Sequence, residues 1–171
     1  MRMVGRPFEM PDFQHALIAL QRALAASLRF TRCRRNVEGR KLALEIPFDL
    51  HVYPKDGFAS GELFVDDGIS QGTIEANQYD LYSFVQAQDL LRISVSHVGS
   101  SGRQNSTIKN VVFFDTPEPP TRVSLNRNFL RAENIKHDAV KKILTVVIDL
   151  QLRTLNSLGT EAIVQVEKRT T

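Results

Sequence analysis

Glu62, Asp66 and Asp67 bring three carboxylates into the stretch Ala59-Ser60-Gly61-Glu62-Leu63-Phe64-Val65-Asp66-Asp67-Gly68-Ile69-Ser70. Carboxylic acids held about 5–5.5 Å apart across a sugar can split a glycosidic bond. Oxygen ligands of this kind also suit calcium. The local pattern favours neither. Asp66 and Asp67 are adjacent and run into Gly68, where aspartates ordinarily bond their own backbone in a turn. Glu62 belongs to a short strand, Glu62 to Val65, that should bury Leu63 and Val65. The full calcium-loop pattern is missing, so these residues are read as structural, with no metal and no catalytic pair.

Cys33 is the sole cysteine, which excludes an intrachain disulfide and a metal site built on paired cysteines. The arginines around it would lower its thiol pKa. No base is set beside it, and it reads as an incidental thiol. His15, His51, His97 and His137 show no HExxH or comparable ligand spacing. The polar loop Gly99 to Thr107 lacks the glycine spacing and the Gly-Lys-Ser/Thr ending of a phosphate loop. No cofactor is implied. Sugar platforms stack aromatic rings on pyranose faces, and this chain has three tyrosines and no tryptophan. Tyr53, Tyr79 and Tyr82 are the available rings. Tyr53 and Tyr82 are the candidate carbohydrate contacts, with Tyr82 and Phe84 exposed together; the alternative is sheet packing with the hydroxyl at the rim.

The elements that would carry these residues are mostly strands. Phe48, Leu50 and Val52 alternate with Asp49, His51 and Tyr53, the period of a half-buried strand. Pro54 to Gly57 then turns, with Asp56-Gly57 as the tight corner. The acidic stretch follows. Gln71 to Asn77 is a polar loop. Tyr79 to Gln86 places Tyr79, Leu81, Ser83 and Val85 on one face and Asp80, Tyr82 and Phe84 on the other. Apolar groups on both faces predict a strand buried between layers or at a domain contact. Gln88-Asp89 is the next turn. Leu91, Ile93 and Val95 then alternate with Arg92, Ser94 and Ser96, one dry face and one wet. Ile108 to Phe114 is a strand, Pro117, Pro119 and Pro120 a rigid break, and Thr121 to Leu125 a short strand. Asn126 to Lys142 is read as mostly loop or a hairpin. Ile143 to Leu150 is rich in β-branched residues, nearly apolar throughout, and expected at the centre of the core. Leu152 to Gly159 is a loop and Glu161 to Glu167 a closing strand. Short strands at this spacing predict an antiparallel β-sandwich.

The N-terminal part differs. Phe13, Ala16, Leu17, Leu20, Leu24 and Leu28 recur at helical steps, which predicts an amphipathic helix from about Asp12 to Arg29. Its apolar stripe suits packing on its own domain or on a partner; membrane-surface and presequence roles are the alternatives. Phe30 to Lys41 is basic and polar and reads as a linker. The division is therefore residues 1–41, helix and basic linker, and residues 42–171, the sandwich.

With 171 residues and 42% hydrophobic residues, the chain can bury one ordinary core. A catalytic TIM barrel alone needs about 250 residues and does not fit. Net charge is +3, concentrated at Arg29, Arg32, Arg34, Arg35, Arg40 and Lys41 and at Lys136, Lys141 and Lys142. Aromatics are not interleaved with these bases, which argues against nucleic acid as a partner. No run reaches the ~18 apolar residues of a membrane span.

Ala59-Ser60-Gly61-Glu62-Leu63-Phe64-x-Asp66-Asp67-Gly68-x-Ser70 resembles the signature in the terminal β-sandwich domain of glycoside hydrolase family 31, the α-glucosidase and maltase family. The resemblance spans about Pro47 to Glu167. It takes in the order of Phe48 to Tyr53 before the signature, Tyr79 to Phe84 after a polar loop, Ile108 to Val112 before a proline break, Val123 in a short strand, and Lys142 to Leu150 before a closing strand. His51 and Tyr53 depart from the more aliphatic strand usual there. The family's nucleophile motif, which begins with tryptophan and includes Asp-Met-Asn-Glu, is absent. The resemblance therefore implies a non-catalytic accessory domain, with Gly61, Glu62, Leu63, Phe64, Asp66, Asp67 and Gly68 as structural signature residues. It implies a catalytic barrel as partner, in cis or in trans, and points to secretory or lysosomal settings, although the N-terminus carries no clear address. The alternatives are a stand-alone carbohydrate-binding module and an interaction protein docking through the N-terminal helix.

Overall fold

Period-two alternation builds almost the whole of the computed structural model, which describes residues 27–32, 47–66, 71–99, 106–155 and 160–168. The strands are β1 (Ser27–Arg32), β2 (Phe48–Tyr53), β3 (Phe58–Val65), β4 (Asp80–Ala87), β5 (Leu90–His97), β6 (Thr107–Phe113), β7 (Arg122–Leu125), β8 (Asn128–Phe129), β9 (Ile135–Asp138), β10 (Ile143–Gln151) and β11 (Glu161–Glu167). They form two sheets, in the orders β1-β2-β6-β10-β9 and β3-β4-β5-β11-β7-β8. Every pairing is antiparallel except β2 with β6, which run parallel from Phe48↔Ile108 to Val52↔Phe113.

The sheets face each other through one apolar core. Leu50, Val52, Ile108, Val111, Leu144 and Val146 line it from the first sheet. Leu63, Phe84, Leu91, Ile93, Val164 and Val166 line it from the second. Residues between these positions point outward, as the strand pleat requires. Short turns set the register. Asp56 and Gly57 both take positive φ, 53° and 76°, the geometry of a primed two-residue turn, and Lys55 and Phe58 exchange backbone bonds of 2.9 and 3.0 Å across it. This turn joins strands of different sheets, so it works as the corner between layers. Gln88, at φ 52°, makes the corner between β4 and β5.

Two expectations change and two gain detail. The stretch Asp12 to Arg29 was expected to be helical. Residues 12–26 lie outside the described residues, and Ser27 to Arg29 open β1. That strand meets the edge of β2 over six consecutive pairs, from Ser27↔Tyr53 to Arg32↔Phe48, so the linker assigned from Phe30 begins as strand. Pairing a bare sheet edge satisfies backbone groups that helical spacing does not register. Secondly, Asn126 to Lys142, read as mostly loop or a hairpin, takes the second form: Asn126-Arg127 turns β7 back into β8, and after a 3-10 turn at Ala132–Asn134 β9 runs antiparallel to β10. Strand β9 is an edge paired only to β10, and its Ile-Lys-His-Asp sequence never alternates. Thirdly, β10 lines the core through Leu144, Val146, Ile148 and Leu150, as expected, and it lies between β6 and β9 in its sheet. Finally, Leu152–Leu155 is a 3-10 turn whose Leu152 and Leu155 are buried and close one end of the core. Among the described residues no helix is long and apolar enough to cross a membrane.

Candidate functional site: the signature strand, two aromatic stacks and an end cleft

Strand β3 carries the signature. Ala59, Leu63 and Val65 are buried on its inward face, and Gly61 shares that face directly across from Phe84 of β4. An aromatic opposite a glycine is an arrangement that compensates a bare strand position. Glu62 is exposed on the outer face. Asp66 accepts a bond from Thr73 Oγ1 at 3.3 Å. Asp67 and Gly68 lie outside the described residues. Among the described residues no group of three His, Cys, Asp or Glu side chains gathers as a metal would need. Leu63 and Val65 thus act through packing, and Glu62 is turned away from the core they line.

The tyrosines separate. Tyr82 was expected on an exposed face beside Phe84, and both are buried, at 2% and 0% exposure. The inward register of β4 is Asp80, Tyr82, Phe84 and Gln86, so the ring of Tyr82 offers no surface to a sugar. Its hydroxyl donates to Asp80 Oδ2 at 3.4 Å, while Asp80 Oδ1 accepts from the Gly99 N–H at 2.9 Å. Burial first, then the Asp80 carboxylate, pushes the Tyr82 phenol well above its usual 10.0. The folded state therefore keeps this proton where the unfolded chain releases it. The resulting stability is complete below pH ~10 and declines as pH rises beyond it. Tyr82→Phe should flatten the alkaline limb of the stability–pH curve, measured by urea unfolding at stepped pH.

On the outer face of the second sheet, Tyr79 stacks on Phe64 at 4.8 Å and meets His97 at 4.4 Å. On this face Leu81 pairs with both Phe64 and His97 and is half-buried, whereas Val85 is exposed, so β4 is buried on its inward face and not between two layers. On the outer face of the first sheet, Tyr53 stacks on Phe114 with centroids 4.1 Å apart and planes within 15°. His51 packs against the same Phe114 at 5.6 Å. Tyr53 is therefore a surface aromatic with a partner ring, and half-buried. Burial lowers the His51 pKa from its usual 6.5, with Asp49 opposing. A depressed imidazole contributes stability above pH ~6.5 that is lost as pH falls through its folded value. A proton NMR titration of the His51 ring should give a midpoint below that of a free histidine, and Asp49→Asn should lower it further.

A third feature lies at one open end of the sandwich, a cleft of about 500 Å³. Phe113, Leu144 and Val166 supply apolar walls. The corner residues Pro54, Asp56 and Gly57, the Gln88-Asp89 turn, and Phe114, Asp115 and Thr116 beyond β6 form its rim. Lys168 bonds Asp89 Oδ1 at 2.7 Å. Asp56 and Asp115 form no ion pair among the described residues. Gln86, the last inward residue of β4, is 7% exposed. Its Nε2 donates to Gln88 O at 2.9 Å, and its Oε1 is buried without a partner among the described residues. An unpaired buried acceptor costs about 1–3 kcal/mol. Sequence reasoning missed this cleft, because its parts come from three separate turns. The available signal was Gln86 itself, a polar residue in register with Tyr82 and Phe84.

No family model matches the chain, and no curated protein matches it. Solved structures do. The ER glucosidase II heterodimer, made of the catalytic subunit and the binding domain of the regulatory subunit, aligns with a TM-score of 0.58 at 18% identity over 83% of this chain. The glucosidase II α subunit in its α3-Glc2-bound form aligns with a TM-score of 0.57, also at 18% identity and over 83% of this chain. In both cases the match takes in only 16% of the larger chain. These neighbours are family 31 glycoside hydrolases. What is shared at this level of identity is the two-sheet fold: the chain is a β-sandwich similar to one found within about a sixth of glucosidase II.

Proposed function

We propose that this chain is a non-catalytic accessory sandwich of an α-glucosidase-like hydrolase, working beside a catalytic barrel in cis or in trans. The observation that carries the reading is the fold match over 83% of this chain within 16% of an enzyme chain, read together with the signature strand β3. A domain of this kind contributes a packed scaffold and a docking face. The domain division at about residue 41 belongs to the same proposal, with β1 added to the sandwich edge. The signature residues are then scaffold: Leu63 and Val65 in the core, Gly61 under Phe84, and Phe64 in an outer stack.

Native size tests it. An antibody raised against the chain should detect a polypeptide far above 19.3 kDa in cells that express it, or a 19.3 kDa one that co-elutes with a glycosidase. The pure chain should leave a chromogenic α-glucoside intact. A 19.3 kDa species eluting alone as a monomer, or turnover by the pure chain, would overturn the reading.

A second reading, a stand-alone carbohydrate-binding module, is favoured by the Tyr53–Phe114 stack on an outer sheet face. It requires maltose or starch to bind and Tyr53→Ala to abolish that binding. The accessory reading requires neither. Docking through the N-terminal helix rests on residues outside those described.

A further inference from the structure

The outer faces of the two sheets differ in kind. On the second sheet Ser60, Glu62, Arg92, Ser96 and Gln165 stand exposed among the outward positions, as on a face that meets water. On the first sheet the register sets Val112 of β6 beside Thr145 of β10, with Ile143 and Val147 two residues to either side along β10. Phe114 follows Val112 by two residues and stacks on Tyr53. Val112, Phe114, Ile143 and Val147 all point away from the core, yet all are half-buried. Every described strand belongs to one of the two sheets, so none forms a further layer over this apolar face.

The sequence carries a matching cover next to it. Phe13, Leu17, Leu20 and Leu24 repeat at helical steps just ahead of β1. Ser27, the first residue of β1, pairs with Tyr53, so the chain enters that strand at the end of the face where Tyr53 and Phe114 stack. A helix over residues 12–26 would be about 22 Å long. Five strands make the sheet about 19 Å across, and β2, with six residues, runs about 20 Å. The segment is long enough to span the face in either direction. Its tether to β1 keeps it there at an effective concentration in the millimolar range, which a separate molecule rarely reaches. We propose that residues 12–26, which lie outside the described residues, form an amphipathic helix that covers the outer face of the first sheet, setting Phe13, Leu17, Leu20 and Leu24 against Val112, Phe114, Ile143 and Val147. The occupant is this chain's own segment, not a second copy and not a lipid surface. The cover closes the Tyr53–Phe114 stack to sugars and directs any partner domain to another surface. This inference goes beyond the accessory role and does not depend on it.

The test is NMR of the full chain with leucine, isoleucine and valine methyl groups labelled. Cross-relaxation from the methyls of Leu17, Leu20 or Leu24 to those of Val112, Ile143 or Val147, within one molecule and independent of protein concentration, supports the cover. These wild-type contacts decide the matter without any variant. Leu20→Asp should remove them and lower the amide-exchange protection of residues 13–24 by about tenfold, the least that burying a leucine is worth. The methyl shifts of Leu91, Ile93 and Val164 in the second sheet should stay in place. Val147→Asp should have the same effect from the sheet side. A sample mixing differently labelled copies identifies a second copy as the occupant if the contacts run between molecules. Vesicles of phosphatidylglycerol and phosphatidylcholine identify a lipid surface if residues 13–24 gain protection only in their presence. Either of those results, absence of the contacts in the wild-type chain, or unchanged protection in both variants would overturn the proposal.

Discussion

Phe84→Ala should lower the free energy of unfolding by about 3–5 kcal/mol, the usual cost of emptying a fully buried aromatic site. Phe84 is 0% exposed on β4, the middle strand of the β3-β4-β5 meander, and it pairs with Gly61 on one side and Ile93 on the other. Gly61 has no side chain with which to refill the space. Relaxation is therefore poor, which puts the loss at the upper end of that range. A urea titration followed by far-UV circular dichroism should show a large fall in midpoint with little change in slope. Val85→Ala, one residue along and 36% exposed on the outer face, is the control and should change stability by about 0.5 kcal/mol or less. Equal losses at the two positions would invert the assigned faces of β4.

Gly99→Ala should cost about 3 kcal/mol. A Cβ there would lie 2.4 Å from Tyr79 N, 2.5 Å from Tyr79 O and 2.9 Å from Asn77 O, all backbone atoms that cannot swing aside. Overpacking of this kind costs about 1–3 kcal/mol. Moving the segment to relieve it also pulls the Gly99 N–H from Asp80 Oδ1, a bond to a buried carboxyl group worth about 1.5–3 kcal/mol. Thermal unfolding of Gly99→Ala, Asp80→Asn and the double variant would separate the terms. The double variant should be less destabilised than the sum, because both changes break the same contact. Full additivity would show the two residues to act independently.

Side-chain alternation made much of the fold legible. Phe48-Leu50-Val52 and Leu91-Ile93-Val95 stand inward as their spacing predicts, and Glu161–Glu167 closes the chain as a strand. Asp56-Gly57 and Gln88 turn where turn chemistry places them. The failures share a cause. Leu28 fits a helical stripe with Leu24 and also a strand, and only the distant edge of β2 decides between them. Strand β9 exists because β10 offers it a ladder, which its own residues do not announce. For Tyr82 the two faces of β4 were separated correctly, but which one met the core depended on the opposite sheet. Of the candidate site, Tyr53 was legible as an outer-face ring. The cleft was not, since three turns remote in sequence meet there only after both sheets have formed.

The parallel pairing of β2 with β6 also bears on the order of assembly. Phe48 must wait for Ile108, and β3, β4 and β5, all members of the opposite sheet, are made in between. Hairpin contacts in that meander are local and form quickly, whereas the parallel pair must close a long loop first. On a ribosome, β2 would emerge early and stay without β6 while three of the six strands of the opposite sheet are synthesised. A nascent chain stalled before Thr107 should therefore hold a ready meander and a β1-β2 pair with one edge of β2 unfilled, the state most in need of a chaperone.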